Sequence, residues 1–389
     1  MHRRSLLRRT ALAGSGIGTL SLAGCLERLG FEEESAWSNP PLVQDRPDAV
    51  YLPASTEKMA RLGTATGDEF GIALGYTIPH RFWLLAGESN QVDVQPSDSL
   101  HLMVTVWDRE TELVVPATVR LELVQEGERA TPVGSLWPMI SQQMGFHYGD
   151  NVELSGDGTY TARVQVGPLD TDRTGAFGDR LDGTETLTVE FTHAREDVHD
   201  LGVEYIGTQR RGTQEALDLR TNDSMPSSRG QPLAELPGDH LGTAERDESG
   251  DARVGALVLD AERVGGSSER AYLAVTLRTP YNDVMLPFAG LSATVDSGGD
   301  GGGSERTGGD GDGGGTEPRE SLTLTEAVDP TLGHHYGAES DVLSTGQSTA
   351  DERETMITIS VETPPQVARH DGYETAFRTF DDVRFRAQR

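Results

Sequence analysis

Trp137-Pro138-Met139-Ile140-Ser141-Gln142-Gln143-Met144-Gly145-Phe146-His147-Tyr148-Gly149-Asp150-Asn151 is dense in methionine, histidine and aromatic side chains. The Met139 thioether and the His147 imidazole stand eight residues apart across a glycine-containing loop, so both can converge on one ion. Sulfur with imidazole favours copper, above all Cu(I), whereas added carboxylate or carbonyl oxygen would suit iron. Upstream, Leu100, Leu102, Val104 and Val106 alternate with period two and point to one face of a strand. His101 and Met103 share the other face of that strand.

Working outward, Phe70 to Ile78, Leu100 to Trp107, Thr118 to Val124, Tyr160 to Val166 and Thr186 to Phe191 read as strands. Turn signals such as Ser155-Gly156-Asp157-Gly158 separate them, which argues for a sandwich. The second half repeats the order. Leu62-Gly63-Thr64-Ala65 returns as Leu241-Gly242-Thr243-Ala244, and Phe146-His147-Tyr148-Gly149 as His334-His335-Tyr336-Gly337. His101 precedes Pro116 by 15 residues, as Tyr272 precedes Pro287. Pro116 lies 31 residues before His147, but Pro287 lies 48 before His335. The excess of 17 is nearly the 19 residues of the Gly/Asp-rich run 297–315, which reads as a disordered loop inserted between strands.

The expected fold is therefore all-β, two tandem sandwiches. A first sandwich spans 50–194, a polar linker 195–240, and a second sandwich 241–389.

Composition narrows the function. With 33 basic and 63 acidic residues the formal charge is −30, and Lys58 is the only lysine. Such a field repels phosphates and anionic headgroups, so no nucleic acid is expected as a partner. An acid-rich, lysine-poor surface matches that of halophilic proteins. The single cysteine, Cys25, excludes an intrachain disulfide framework and a cysteine-based zinc cluster.

Residues 1–24 read as a targeting segment. Arg8-Arg9-Thr10-Ala11-Leu12 resembles a twin-arginine export signal, and Leu22-Ala23-Gly24-Cys25 a lipobox. Cys25 is then the lipidation site, 25–49 a flexible tether, and the protein is exported and anchored to the outer face of the cytoplasmic membrane.

No nucleophile elbow, Walker loop, dinucleotide fingerprint or HExxH motif occurs, so the chain is not expected to be an enzyme. Pro79-His80-Arg81-Phe82-Trp83 forms a polar-aromatic cluster with no general motif behind it. His193, His199 and His240 lie in polar stretches and read as surface residues.

Ser99-Leu100-His101-Leu102 together with the Trp-Pro-Met and His-Tyr-Gly-Asp-Asn elements resembles the periplasmic iron-transport protein family. The resemblance runs well over Ser97 to Phe177 and more loosely over Tyr272 to Phe385. It implies immunoglobulin-like sandwiches and a copper and/or iron site. The ligands would be a strand His, an acidic residue two positions on, a loop Met, the His of His-Tyr-Gly, and a later His after Arg. Carried over, it assigns His101, Met139 and His147, with Met103 where the acidic residue would stand. The late Arg-His pair is missing at Arg173-Thr174 and present at Arg369-His370. His335 and His370 are thus second-half candidates, which either close the first site or form a weaker one; Tyr272 and Ala274 stand at the second half's strand positions. The implied partner is a membrane iron transporter, with the two sandwiches paired within the chain or as a homodimer. Two other functions are open: a metal-free structural or adhesion module, and a copper-dependent redox enzyme.

Overall fold

The computed structural model describes residues 40–86, 88–130, 134–220, 225–244, 251–297, 319–343 and 355–387. The signal segment, Cys25, residues 26–39 of the tether and the glycine-rich insert beyond Ser297 lie outside the described residues.

The described chain is an all-β sandwich, with one α-helix, Arg195–Leu201, among the described residues. Alternation builds the strands. In Gly158–Val166 the side chains of Tyr160, Ala162, Val164 and Val166 are buried, and in Glu185–His193 those of Leu187, Val189 and Phe191. These faces meet Ile72, Leu74, Leu102, Val104 and Val106 in a core that continues into the second half. Leu100–Asp108 is buried at all nine positions. One face enters the core; on the other, Thr105 Oγ1 lies 3.4 Å from Met225 Sδ, so the stretch between the halves packs onto it.

Three large sheets carry the fold. The first has eight strands, in the order Ala60–Thr66, Phe70–Thr77, Leu100–Asp108, Gly145–Val152, Trp137–Ser141, Ala368–Arg369, Phe82–Ala86, Glu88–Val92. The second has five and is centred on Val119–Gln125 and Gly158–Val166. The third has nine, among them Arg253–Asp260, Ala271–Arg278, Gly333–Ser340 and Arg319–Asp329. Arg319–Asp329 turns a corner: residues 319–324 pair with Gly290–Asp296 and residues 325–329 with Gly333–Ser340. In the first half two pieces divide the same task, Gly134–Ser135 beside Val119–Gln125 and Trp137–Ser141 beside Gly145–Val152.

The stretch expected as a glycine-containing loop is thus a hairpin, Trp137–Ser141 against Gly145–Val152, and Met139 faces His147 across it. Gly145 starts the return strand at φ 72, a left-handed conformation that a side chain would strain; Gly333 does the same at φ 72.

The halves exchange strands. Ala368–Arg369 runs parallel to Trp137–Ser141 in the first half's sheet, and Asp172–Arg173 runs parallel to Arg319–Asp329 in the second half's sheet. The second sandwich is therefore not self-contained: Ala368–Arg369 adds a strand to the first half's sheet, and Val383–Ala387 then returns to pair with Thr355–Thr363. A two-residue strand has no periodicity, so nothing in the sequence marks it. Two other expected segments differ from what is seen. The linker includes a helix and Val203–Tyr205, which pairs with Ser55–Glu57. The end of the tether is fastened: Arg46 pairs with Glu374 at 3.0 Å, and Thr375 Oγ1 donates to the Pro47 carbonyl at 2.9 Å.

Candidate metal centre

His101 sits mid-sheet, opposite Asn151 on one side and Thr77 on the other. Its Nδ1 donates to Asn151 Oδ1 at 2.9 Å, and Asn151 Nδ2 donates to the His80 carbonyl at 2.9 Å. One amide therefore orients the first imidazole and holds the backbone that carries a second. His80 Nδ1 donates to the Arg81 carbonyl at 2.9 Å, and His147 Nδ1 to the Gly145 carbonyl at 3.0 Å. In each case a backbone or amide oxygen takes the Nδ1 hydrogen and leaves the Nε2 lone pair free, the tautomer a metal-binding histidine needs. His370 comes from the exchanged segment, where its backbone N–H donates to the Ile140 carbonyl at 3.2 Å.

These four rings converge. Centroids lie 4.1 Å apart for His80 and His101, 4.7 Å for His80 and His370, and 5.3 Å for His147 and His370. One ring nitrogen from each of His80, His101 and His370 lies within 4.8 Å of the others. Nε2 of His101, His147 and His370 is buried and finds no hydrogen-bond partner among the described residues. His147 stands outside that closest group of three and reaches it through His370, and buried lone pairs left without a partner are costly unless something binds them. Gly149 leaves room beside them. A Cβ there would stand 2.9 Å from His101 Nε2 and 3.1 Å from Met139 Sδ, so nitrogen and sulfur flank the same space. Met139 is fully buried against Phe82 and Ala368.

Burial keeps three of these rings, His101, His147 and His370, in their ligating form. Burial, and then the neighbouring His80, hold His101 well below the usual histidine value. Burial lowers His147 to about 4. His370 is likewise held well below normal by burial and then by His80, His147 and His101. Imidazoles with one thioether are a donor set that fits copper. A cleft of about 60 Å³, lined by Met103, His80, His370 and Asp371 among others, lies beside the cluster.

The structure thus brings together His101, Met139, His147 and His370, and sets Met103 in the cleft wall, where its methyl group and that of Met59 pack over Gly75. His335 stands apart from them, in the second half's sheet, with its Nε2 3.1 Å from the Tyr272 hydroxyl, and joins none of the four rings. Cys25 lies outside the described residues. His193, expected on the surface, is buried at 6% exposure, because its strand's inward face extends to that position. From the sequence, coordination was only the lesser reading of His80, and Asn151 had no role. The only signal for His80 was the polar-aromatic cluster around it, and Asn151 was legible only as the end of the quoted stretch.

Two family models match parts of the chain. Residues 109–199 match the family described as Fe2+ transport protein. Residues 234–386 match a domain family described as a domain of unknown function (DUF7350). No curated protein matches the chain. Among solved structures, FetP of uropathogenic Escherichia coli strain F11 is 20% identical over 35% of this chain and 97% of its own, with a TM-score of 0.27. A copper-bound variant of that FetP is 21% identical over the same shares, with a TM-score of 0.26. Copper-reconstituted P19 from Campylobacter jejuni is 15% identical over 35% of this chain and 96% of its own, with a TM-score of 0.25. Among the described residues no helix is long and apolar enough to cross a membrane.

Proposed function

We propose that this chain is an exported metal-binding protein that takes up copper or iron and supports iron uptake by a membrane transporter, acting by coordination and not by catalysis. The observation that carries the reading is the set of three buried, unpartnered Nε2 atoms on His101, His147 and His370. His80, His101, His147 and His370 would supply nitrogen and Met139 sulfur. The metal is cargo here, and the chain's part is to hold it. Asn151 and the Gly145 carbonyl fix ring orientation, burial keeps the imidazoles of His101, His147 and His370 neutral, and the cleft beside His80 and His370 gives a route in. The family match over residues 109–199 supports the link to iron transport. The copper in FetP and P19 suits a site of imidazole and thioether.

The twin-arginine and lipobox motifs support export and attachment through Cys25. Cys25→Ser should then release the protein into the medium, whereas a variant that stays with membranes after a high-salt wash contradicts the anchor. The metal reading is tested by elemental analysis of protein purified without chelator. Wild type should carry copper or iron, and His147→Ala should lose most of it. Equal metal in both contradicts the proposal.

A further inference from the structure

The strand exchange is reciprocal residue by residue. Met139 pairs with His147 on one side and Ala368 on the other; Ala327 pairs with His335 on one side and Asp172 on the other. Register therefore sets Met139 against Ala327 and His147 against His335. It also sets His370, two residues past Ala368, against Thr174, two past Asp172. His101, between Thr77 and Asn151, corresponds to Tyr272, between Leu259 and Glu339. His80 lies three residues beyond Thr77; three beyond Leu259 stands the exposed Glu262. Of the five donor positions in the first half, the second half keeps one, His335.

The details around that residue repeat as well. His335 Nδ1 donates to the Gly333 carbonyl at 3.0 Å, as His147 Nδ1 does to Gly145 at 3.0 Å. Nε2 of His335 is therefore a free acceptor, as in the first half. Here the Tyr272 hydroxyl donates to it at 3.1 Å. The phenol fills the space beside Gly337, where a Cβ would collide with it, just as His101 and Met139 flank the space beside Gly149. Thr174 Oγ1, at the position of His370, bonds to Asp329 Oδ2 at 3.1 Å. Tyr272 belongs to a separate apolar cluster with Leu257, Leu259 and Leu332. A lone pair left open in the first half is satisfied from within the chain in the second, with no need of an ion.

We infer that the second half holds a copy of the metal site plugged by the Tyr272 phenol, so that the chain takes up one copper equivalent through its first half and none through its second. This rests on the metal reading of the first half. The exchanged strands then serve two ends: one carries His370 into a working site, and its counterpart carries Thr174 into a sealed one.

The test is a calorimetric titration of metal-free protein with Cu(II), with glycine present to compete for weak surface sites. Wild type should bind one equivalent, His101→Ala none, and His335→Ala still one. Tyr272→His combined with Ala327→Met and Thr174→His should bind two. Two equivalents in wild type, one of them lost in His335→Ala, would overturn the plug and leave the first-half site standing. No tight equivalent in wild type would bring down the metal reading itself, and the inference with it. A folded triple variant that stays at one equivalent would show that the pocket is no copy of the site; if that variant does not fold, the His335→Ala result decides. Tyr272→Phe gives a metal-free check, because loss of the phenol donor should shift the side-chain nitrogen resonance of His335 Nε2. An unmoved resonance would mean that the phenol is not the plug.

Discussion

Arg81 and Asp371 form a two-pronged ion pair, Nε to Oδ1 at 3.3 Å and Nη2 to Oδ2 at 2.8 Å. Each is the chain neighbour of a cluster histidine, His80 and His370, which come from opposite ends of the sequence. Arg81 is 6% exposed and the guanidinium also lies 5.8 Å from the Trp83 ring, so the clamp is rigid on both sides. A residue that only positions ligands changes affinity without removing a donor. Asp371→Asn should therefore lower copper affinity roughly tenfold while leaving one equivalent bound. Loss of the equivalent altogether would make Asp371 a ligand; unchanged affinity would make the clamp irrelevant to the site.

Asn151 does for His101 what the clamp does for His80 and His370. Asn151→Leu removes the acceptor of His101 Nδ1 and the donor to the His80 carbonyl together. Affinity should fall by about 10- to 100-fold, a range typical of groups that orient metal-binding histidines. Competition titration against a chromophoric chelator reads this directly, and a change smaller than threefold contradicts the orienting role.

Arg369 is nearly fully buried and donates to the carbonyls of Ala376 at 2.6 Å and Phe377 at 2.9 Å. Burial lowers it to about 10, so it stays charged at neutral pH. It folds the C-terminal segment back on itself and thereby delivers His370. Arg369→Met should cost about 3 kcal/mol, the range for carbonyls left unpaired inside a protein. Urea unfolding followed by tryptophan fluorescence measures it, and a loss under 1 kcal/mol would mean that water replaces the guanidinium.

His147 and His335 are both lowered to about 4 by burial, against an ordinary value of 6.5. Between those values the unfolded chain binds protons that the folded chain refuses. The stability each neutral ring contributes is complete above about pH 6.5 and is lost as pH falls toward 4, about 3 kcal/mol per ring. Metal-free wild type should then lose more stability between pH 7 and pH 4.5 than His335→Gln does. Parallel pH profiles for the two proteins would contradict a buried, neutral His335.

Much of the fold was legible because alternation is a local property. Leu100 to Val106 and Tyr160 to Val166 announce a buried face within one strand. His101, Met139 and His147 were legible for a related reason: one lies on such a strand, and the other two lie on one hairpin. His370 was reached through resemblance alone, because the two-residue strand that delivers it has no pattern to read. His80 had no motif, since its place depends on Asn151, 71 residues away. His335 is the opposite case. Its His-Tyr-Gly surroundings match those of His147, yet the group against its Nε2 is the hydroxyl of Tyr272, 63 residues distant across the sheet.

With a formal charge of −30, the protein offers many carboxylates to any cation, so binding alone is weak support for the centre. The most direct measurement is X-ray absorption at the copper edge on protein loaded with one equivalent of Cu(I). The account predicts a first shell of imidazole nitrogens with one sulfur, the sulfur lost in Met139→Leu and the imidazole scattering reduced in His370→Ala. A shell of oxygen alone, or one unchanged by both substitutions, would contradict it.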